Sequence, residues 1–271
     1  MSAAAILPHF AQRFKGKIAV VTGGASGIGQ ACSVLLAEQG AHVLIADLDL
    51  DAARRAAGDI GALAWALDVS RADDIDALAR QIEREVGAVD MLVNAAGIIQ
   101  GPAVAPAALA MDVYDRVFAV NLRGTHAACV AFGQRMAVRK RGAILNLASI
   151  AGIRSTPLHA YGPLKAAVIS LTENLAAEWG RSGVRVNCIS PGPVLTPALQ
   201  QAIRQGQRDE ALMAASCASG RLVMPREVAL AAAFLLSDDA SAITGVNLAV
   251  DHGWLVAQSW ASFGGLREAA G

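Results

Sequence analysis

Short runs of Val, Ile, Leu and Ala alternate with longer helical patterns along almost the whole chain of 271 residues. Several of these runs are apolar on both faces, which is typical of strands covered by helices on both sides of a sheet. The alternation, with its short connections, predicts an α/β fold: a doubly wound parallel sheet of Rossmann type with about seven strands. The predicted strands are Lys17–Thr22, His42–Ala46, Ala62–Leu67, Met91–Asn94, Ala143–Ala148, Arg185–Ile189 and Asn247–Val250. The predicted helices include Ile28–Gln39, Asp73–Val86, Met111–Arg139, Lys165–Arg181 and Arg226–Leu236.

No linker rich in Pro, Gly or Ser and no repeat interrupts this pattern, so we predict a single domain over residues 1–271. Residues 195–220 do not follow the alternation of strands and helices, and the stretch they belong to begins with closely spaced prolines. Long irregular insertions in compact domains are often lids or binding loops, so we predict a lid here, with a surface excursion as the alternative. The tail, residues 254–271, is so apolar that we expect it to pack against a neighbouring subunit or, alternatively, on its own subunit.

The composition excludes several classes of function. Hydrophobic residues make up 54% of the chain and charged residues 17%, so a sizeable core can form and disorder is excluded. Lys plus Arg and Asp plus Glu both number 23. The resulting net charge of zero argues against nucleic-acid and anionic-membrane partners.

The cysteines and histidines predict neither a disulfide framework nor a metal site. The four cysteines lie far apart in the sequence, and the five histidines show no metal-ligand spacing. The charge-free run Met91–Ala110 contains Asn, Gln, Gly and Pro, which argues against a membrane-spanning helix. The N-terminus lacks the pattern of a secretory signal, and these features together predict a cytoplasmic protein.

A glycine-rich turn, TGGASGIG at positions 22–29, follows the first predicted strand and opens a predicted helix. Such a turn lets the backbone approach a pyrophosphate, and the helix N-terminus supplies N–H donors. A purely structural turn is the alternative. The residues expected to contact a dinucleotide here are Gly23, Ser26, Gly27, Ile28 and Gly29.

Asp47 ends the second predicted strand, where a carboxylate can accept hydrogen bonds from a ribose hydroxyl and repel a 2′-phosphate. We therefore predict NAD in preference to NADP. The alternative role of Asp47 is to cap a helix that begins near Leu50. The next two strands end in polar or small residues that should line the same crevice, Asp68, Val69, Asn94, Ala95 and Gly97.

Tyr161 and Lys165 lie four residues apart on a helical stretch and therefore on one face. A nearby cation favours phenolate, so we expect Lys165 to lower the pKa of Tyr161 toward the range that acid–base catalysis needs. Ser149 ends the fifth predicted strand at the same sheet edge, and Asn121 lies inside a long predicted helix. Taken singly, the Tyr–Lys pair could be a solvated helix face and Asn121 a structural amide.

From about Lys17 to Gly253, the motifs described above resemble, in order and spacing, those of the short-chain dehydrogenase/reductase family. These motifs are TGGASGIG, Asp68-Val69, NAAG, Asn121, Ser149, YGPLK and Pro191-Gly192. The resemblance implies hydride transfer between a carbinol carbon and a nicotinamide ring. It also implies that Tyr161 is the acid–base catalyst, supported by Lys165, while Ser149 binds the substrate oxygen and Asn121 holds a water. Near the nicotinamide it implies Pro191, Gly192, Val194 and Thr196.

The chain departs from the family pattern at three places. Ala95 replaces a common second Asn, Ser149 lies closer to Tyr161 than is commonest, and His252 stands where Gly is frequent. We expect the last to affect a subunit contact or the pocket floor. The candidate pocket residues are Ile99, Ile150, Ile153, Leu158, His159, Pro193 and the lid, residues 195–220.

The leading interpretation is an NAD-dependent oxidoreductase that interconverts a secondary alcohol and a ketone as a homotetramer. The mostly apolar pocket favours a substrate with a hydrophobic body, although polyols are handled within the family. A polyol or sugar dehydrogenase and a 3-oxoacyl-thioester reductase are the alternatives within the family. A non-catalytic dinucleotide sensor is the alternative from another class.

Overall fold

The computed structural model describes residues 12–267 and contains one parallel sheet with strand order β3-β2-β1-β4-β5-β6-β7. The predicted α/β fold is confirmed, and the predicted strand ends agree with the observed ones to within two residues. The strands are β1 (Ile18–Thr22), β2 (His42–Asp47), β3 (Leu63–Ala66), β4 (Met91–Asn94), β5 (Gly142–Leu147), β6 (Val184–Pro191) and β7 (Asn247–Val250).

Ten α-helices occur in the described part of the chain. They are α1 (Gly27–Glu38), α2 (Leu50–Ile60), α3 (Ala72–Glu85), α4 (Met111–Phe118), α5 (Thr125–Val138), α6 (Tyr161–Trp179), α7 (Pro197–Arg204), α8 (Glu210–Ala215), α9 (Pro225–Leu236) and α10 (Trp254–Ala257).

The strands are apolar on both faces because each face carries its own core. Val21 and Val93 point into one cluster, which also contains residues of α1 and α9. Val20 and Leu92 point into the other, with residues of α3 and α5. Successive side chains of a strand point to opposite faces, so one short run fills both cores.

Two helix predictions were wrong in their bounds. The single helix predicted over Met111–Arg139 is interrupted by a π-helical segment, Ala119–Gly124, between α4 and α5. The helix predicted from Lys165 begins at Tyr161, which places Pro163 in its first turn, where the missing N–H costs no hydrogen bond.

The strand order reverses between β1 and β4, which lie side by side. In open parallel sheets the crevice at such a switch point, outside the carboxyl ends of the strands, is where ligands bind. The turns after β1, β2, β4 and β5 all leave the sheet at this edge.

The segment predicted to be an irregular lid contains two short helices, α7 and α8. Its ends are joined by a bridge between Val194 and Val223, where Leu195 N donates to the Val223 carbonyl at 2.8 Å. The segment therefore leaves and rejoins the domain at one point. Among residues 12–267, no helix is long and apolar enough to cross a membrane.

Candidate active site

The glycine turn after β1 is packed too closely for side chains. A Cβ atom at Gly23 would lie 2.6 Å from the Ala96 Cα, and one at Gly29 would lie 2.1 Å from the Gly23 carbonyl oxygen. Gly23 and Gly27 also have φ angles of 65° and 53°, which favour glycine. The sequence therefore needs glycine here to bring the turn against the loop after β4.

The N-terminus of α1 is suited to an anion. Ser26 is its N-cap residue but makes no side-chain capping bond, and the first turn contains no acidic residue. The first N–H groups of a helix have no partner within the helix and carry its positive dipole end. This donor set fits a pyrophosphate, and Gly27, Ile28 and Gly29 are the residues that would present it.

Asp47 lies at the end of β2, against the glycine turn. Its Oδ2 accepts a hydrogen bond from Ala25 N at 3.0 Å, and its Oδ1 accepts one from Asp49 N at 3.2 Å. The alternative role predicted for Asp47 is wrong, because Asp49 caps α2 by accepting from Ala52 N at 2.9 Å. The Asp47 carboxylate is thus held at the sheet edge, against the glycine turn.

Asp68 and Val69 follow β3 at the same edge. Ser70 donates to Asp68 Oδ1 through both its backbone N–H and its hydroxyl, at 2.9 and 2.7 Å. The Ser70 hydroxyl bond, with the backbone bond second, lowers the pKa of Asp68. The Val69 carbonyl oxygen lies 2.6 Å from where a Cβ atom of Gly124 would be, so this loop packs on the π-helical segment.

The loop after β4 lies against two other candidate residues, Asn121 and Lys165. Asn94 is buried and donates to Asn146 Oδ1 at 2.9 Å, while Ala95 N donates to the Thr22 carbonyl at 3.1 Å. A Cβ atom at Gly97 would lie 2.8 Å from Asn121 Oδ1 and 3.7 Å from Lys165 Nζ. Gly97 therefore lets both polar side chains approach the loop.

Asn121 lies fully buried in the π-helical segment. Its Nδ2 donates to the carbonyl oxygens of Ile98 and Val117 at 2.8 and 3.0 Å, and its Oδ1 accepts from Ile98 N at 3.3 Å. The side chain thus ties the widened helix turn to the loop after β4. Single π-helical turns are frequent at functional sites.

Ser149, Tyr161 and Lys165 come together at the end of β5 and the start of α6. The Ser149 side chain interacts with the Tyr161 phenol and lowers its pKa. Lys165 is buried, its Nζ donates to the Leu147 carbonyl at 2.7 Å, and the same nitrogen lies 5.5 Å from the centre of the Tyr161 ring. The fold therefore places a hydroxyl, a phenol and an ammonium side by side.

The electrostatics of this group differ from the prediction. Burial raises the pKa of Tyr161, opposed by the interaction with Ser149, and burial lowers the pKa of Lys165 to about 8. The expected lowering of the Tyr161 pKa is wrong, because loss of water outweighs the contribution of Ser149. Desolvation disfavours the charged form of each group.

The loop after β6 joins the lid to the glycine turn. Gly192 N donates to the Val250 carbonyl at 2.9 Å, and a Cβ atom at Gly192 would lie 2.8 Å from the Asp251 Cα. Thr196 caps α7 by accepting from Leu199 N at 3.3 Å. Its Cγ2 lies 3.3 Å from where a Cβ atom of Gly27 would be, so the start of the lid lies beside the predicted pyrophosphate position.

Three of the predicted pocket residues, Ile153, Leu158 and His159, line one cavity of about 340 Å³ at the N-terminus of α6. The cavity lining includes Gly162 and Pro163, which follow Tyr161, but neither Ser149 nor Tyr161. Within residues 12–267, no cluster of three His, Cys, Asp or Glu side chains is placed to hold a metal ion.

Two residues gain a role that the sequence did not show. His252 has a φ angle of 52°, its Nε2 lies 3.1 Å from Glu227 Oε2, and its carbonyl accepts from Ser219 N at 3.3 Å. It therefore holds the end of the lid. The other is Gln100, whose side chain bonds to the start of α6. Neither contact has a local signal, because each joins segments far apart in the sequence.

Comparisons with known proteins agree with this geometry. Residues 23–255 match the family model described as Enoyl-(Acyl carrier protein) reductase. The chain is 41% identical to the D-threitol dehydrogenase of Mycolicibacterium smegmatis, over 90% of this chain and 95% of that protein. It is 37% identical to the NAD-dependent glycerol dehydrogenase of Listeria innocua, over 89% of this chain and 94% of that protein.

Two solved structures extend the comparison. One, described as a short chain dehydrogenase/reductase family protein, superposes with a TM-score of 0.81 at 37% identity and covers 90% of this chain and 99% of its own. The other, described as ribose-5-phosphate isomerase from Brucella melitensis 16M, superposes with a TM-score of 0.93 at 50% identity and covers 95% and 100%.

Proposed function

We propose that this chain, which belongs to the short-chain dehydrogenase/reductase family, interconverts a secondary alcohol and a ketone with NAD as cofactor. The observation that carries the proposal is the position of the Ser149–Tyr161–Lys165 group at the same sheet edge as the glycine turn. A non-catalytic sensor would need the turn but has no need for this group. The proposed setting is the cytoplasm, supported by four buried free cysteines.

The chain's own groups have separate tasks in this reaction. The dinucleotide would be held by Gly23, Ser26–Gly29, Asp47 and the loops at Asp68 and Asn94. The segment Pro191–Thr196 would lie beside its nicotinamide. When bound, the nicotinamide supplies hydride acceptance and donation. Tyr161 exchanges the hydroxyl proton of the substrate, and Ser149 hydrogen-bonds the substrate oxygen. The Lys165 ammonium, which lies over the Tyr161 ring, stabilises the phenolate.

Polyols are the first substrate class to test. The support is that two relatives named above are called threitol and glycerol dehydrogenases. A 3-oxoacyl-thioester reductase remains the alternative; the family-model description names a reductase of another acyl thioester, the enoyl form. One structural neighbour is described as an isomerase, and that reaction consumes no dinucleotide. The glycine turn and the N-terminus of α1 offer N–H donors that suit a dinucleotide, so they favour the oxidoreductase over the isomerase.

The test is the change in nicotinamide absorbance with NAD and with NADP. Substrates are polyols, cyclic and aliphatic secondary alcohols, ketones and 3-oxoacyl esters, with ribose 5-phosphate assayed separately for isomerisation. We expect turnover with NAD on one alcohol class. Tight NADH binding without any turnover would support the sensor, and isomerisation without a cofactor would refute the proposal.

Asp47→Ala is expected to reduce the preference for NAD over NADP by about tenfold or more. A carboxylate at this position repels a 2′-phosphate, and a tenfold change in the preference corresponds to about 1.4 kcal/mol. The measurement is the ratio of kcat/KM for the two cofactors. Asp51→Ala, which removes an exposed carboxylate from α2, is the matched control and should leave the ratio unchanged. An unchanged ratio in Asp47→Ala would show that Asp47 does not select the cofactor.

We also propose a homotetramer in which the apolar tail contacts another subunit. Val256, Trp260, Phe263 and Leu266 are 69%, 47%, 76% and 41% exposed, so these side chains find little cover on their own subunit. Exposed apolar surface of this kind marks interaction sites. Sedimentation equilibrium gives the size of the assembly, and a monomer would refute this part of the proposal.

A further inference from the structure

We propose that Gln100 is a positioning residue for Tyr161: its side-chain carbonyl fixes the N-terminus of α6, on which the phenol is carried. Gln100 lies in the loop after β4 and is only 7% exposed. Its Oε1 accepts hydrogen bonds from Ala160 N at 2.7 Å and from Tyr161 N at 3.1 Å. A single oxygen thus binds the backbone N–H of Tyr161 and that of the residue before it.

The other N–H groups at the start of α6 are accounted for elsewhere. The N-cap residue, Ala160, has no side chain that can cap the helix. Gly162 N donates to the Leu158 carbonyl at 2.9 Å, Pro163 has no N–H, and Leu164 N donates to the Ala160 carbonyl at 3.3 Å. Without Gln100, the N–H groups of Ala160 and Tyr161 would lose their acceptor, and the helix start would lose its fixed position.

The same loop is held at its other end by Asn121. Two residues before Gln100, the backbone of Ile98 bonds to Asn121 through both its N–H and its carbonyl. Ile98 also packs in the small cluster that contains Ala160, Leu164 and Tyr161. The segment from Ile98 to Gln100 therefore joins the π-helical turn to the helix that carries Tyr161, and both candidate catalytic residues have fixed positions relative to it.

The neutral amide at position 100 also has an electrostatic consequence. A carboxylate would accept the same two hydrogen bonds and would interact more favourably with the helix dipole. Its negative charge, however, would lie beside Tyr161 and would disfavour phenolate. The amide has a cost, because Gln100 Nε2 is buried and has no hydrogen-bond partner among residues 12–267. Gln100 thus positions the helix without adding a charge that raises the pKa of Tyr161.

Two variants separate these effects, and their kinetic readout rests on the proposed function. Gln100→Leu removes the acceptor. We expect kcat for alcohol oxidation to fall about tenfold to 100-fold, because a misplacement of a catalytic group by about 1 Å lowers the rate by up to about 100-fold. KM and the affinity for NADH should change less than about twofold. Gln81→Leu makes the same change on α3, where the native side chain bonds to Glu85, and should leave kcat unchanged.

Gln100→Glu keeps both hydrogen bonds and adds a charge. We expect its kcat at high pH to stay within about threefold of the native value, while the pH midpoint of alcohol oxidation rises by about one unit. The chain has only two tyrosines, so the phenolate absorbance of Tyr161 can be titrated alone in a Tyr114→Phe background. We expect the same upward shift of the Tyr161 pKa in that titration, which requires no enzyme turnover.

The outcomes are distinct. If the native enzyme binds NADH but oxidises no alcohol, the proposed function fails, and the absorbance titration of Tyr161 in Gln100→Leu still tests the positioning role: an unchanged midpoint refutes it. If the native enzyme is active and Gln100→Leu keeps kcat within about twofold per folded molecule, the positioning role is refuted. If Gln100→Leu does not fold, Gln100→Glu, which keeps both hydrogen bonds, decides instead: a kcat at high pH more than about threefold below the native value refutes the positioning role.

Discussion

Tyr161→Phe is expected to lower kcat by about 10²–10⁴-fold in both directions of the reaction, the usual contribution of a positioned acid–base group. The substitution keeps the ring that lies beside Lys165 and in the cluster with Leu164. It removes the hydroxyl that interacts with Ser149. Because the fold and the ring contacts remain, NADH affinity should change by less than about threefold.

The matched control is Tyr114→Phe, which deletes the other tyrosine hydroxyl from the same small cluster. It should leave kcat within about twofold of the native value. The measurements are steady-state rates for alcohol oxidation and ketone reduction, with NADH binding by fluorescence titration. Turnover of Tyr161→Phe above about a tenth of the native rate would mean that another group exchanges the substrate proton.

Much of the fold follows from local sequence patterns. The seven strands were predictable because each is an apolar run bounded by turn residues, and the parallel order follows from the helices between them. The π-helical segment was not predictable, because Ala119–Gly124 continues the helical pattern on both sides. It depends on contacts that Asn121 makes with the distant loop at Ile98.

The candidate site was predictable to the extent that its residues end strands or begin helices. Asp47 and Ser149 end strands in the sequence, and parallel topology brings such positions to one edge. Gln100 follows β4 with no turn motif of its own, and its partners lie 60 and 61 residues further along the chain. The direction of the Tyr161 pKa shift was also beyond the sequence, because it depends on burial, which only the folded chain defines.

Lys165→Met is expected to make the protein more stable at pH 7 while lowering kcat by about 10²-fold or more. Burial lowers the pKa of Lys165 from 10.5 to about 8, so holding its charge at neutral pH costs about 3 kcal/mol of folding free energy. Loss of the hydrogen bond to the Leu147 carbonyl offsets about 1–2 kcal/mol of that gain. The free energy of unfolding should therefore rise by about 1–2 kcal/mol, with Met filling a similar volume.

The gain should depend on pH in a defined direction. Between pH 8 and 10.5 the unfolded native chain binds a proton on Lys165 that the folded chain has released, so native stability rises with pH there. Lys165→Met has no such dependence on pH from position 165. The difference in free energy of unfolding between the variant and the native protein should therefore shrink as the pH rises from 8 to 10.5 and stay constant below pH 8. Urea unfolding at several pH values measures the difference, with Lys15→Met, an exposed lysine, as the control. A variant that is less stable than the native protein at pH 7 would show that the hydrogen bond to Leu147 outweighs the cost of the buried charge.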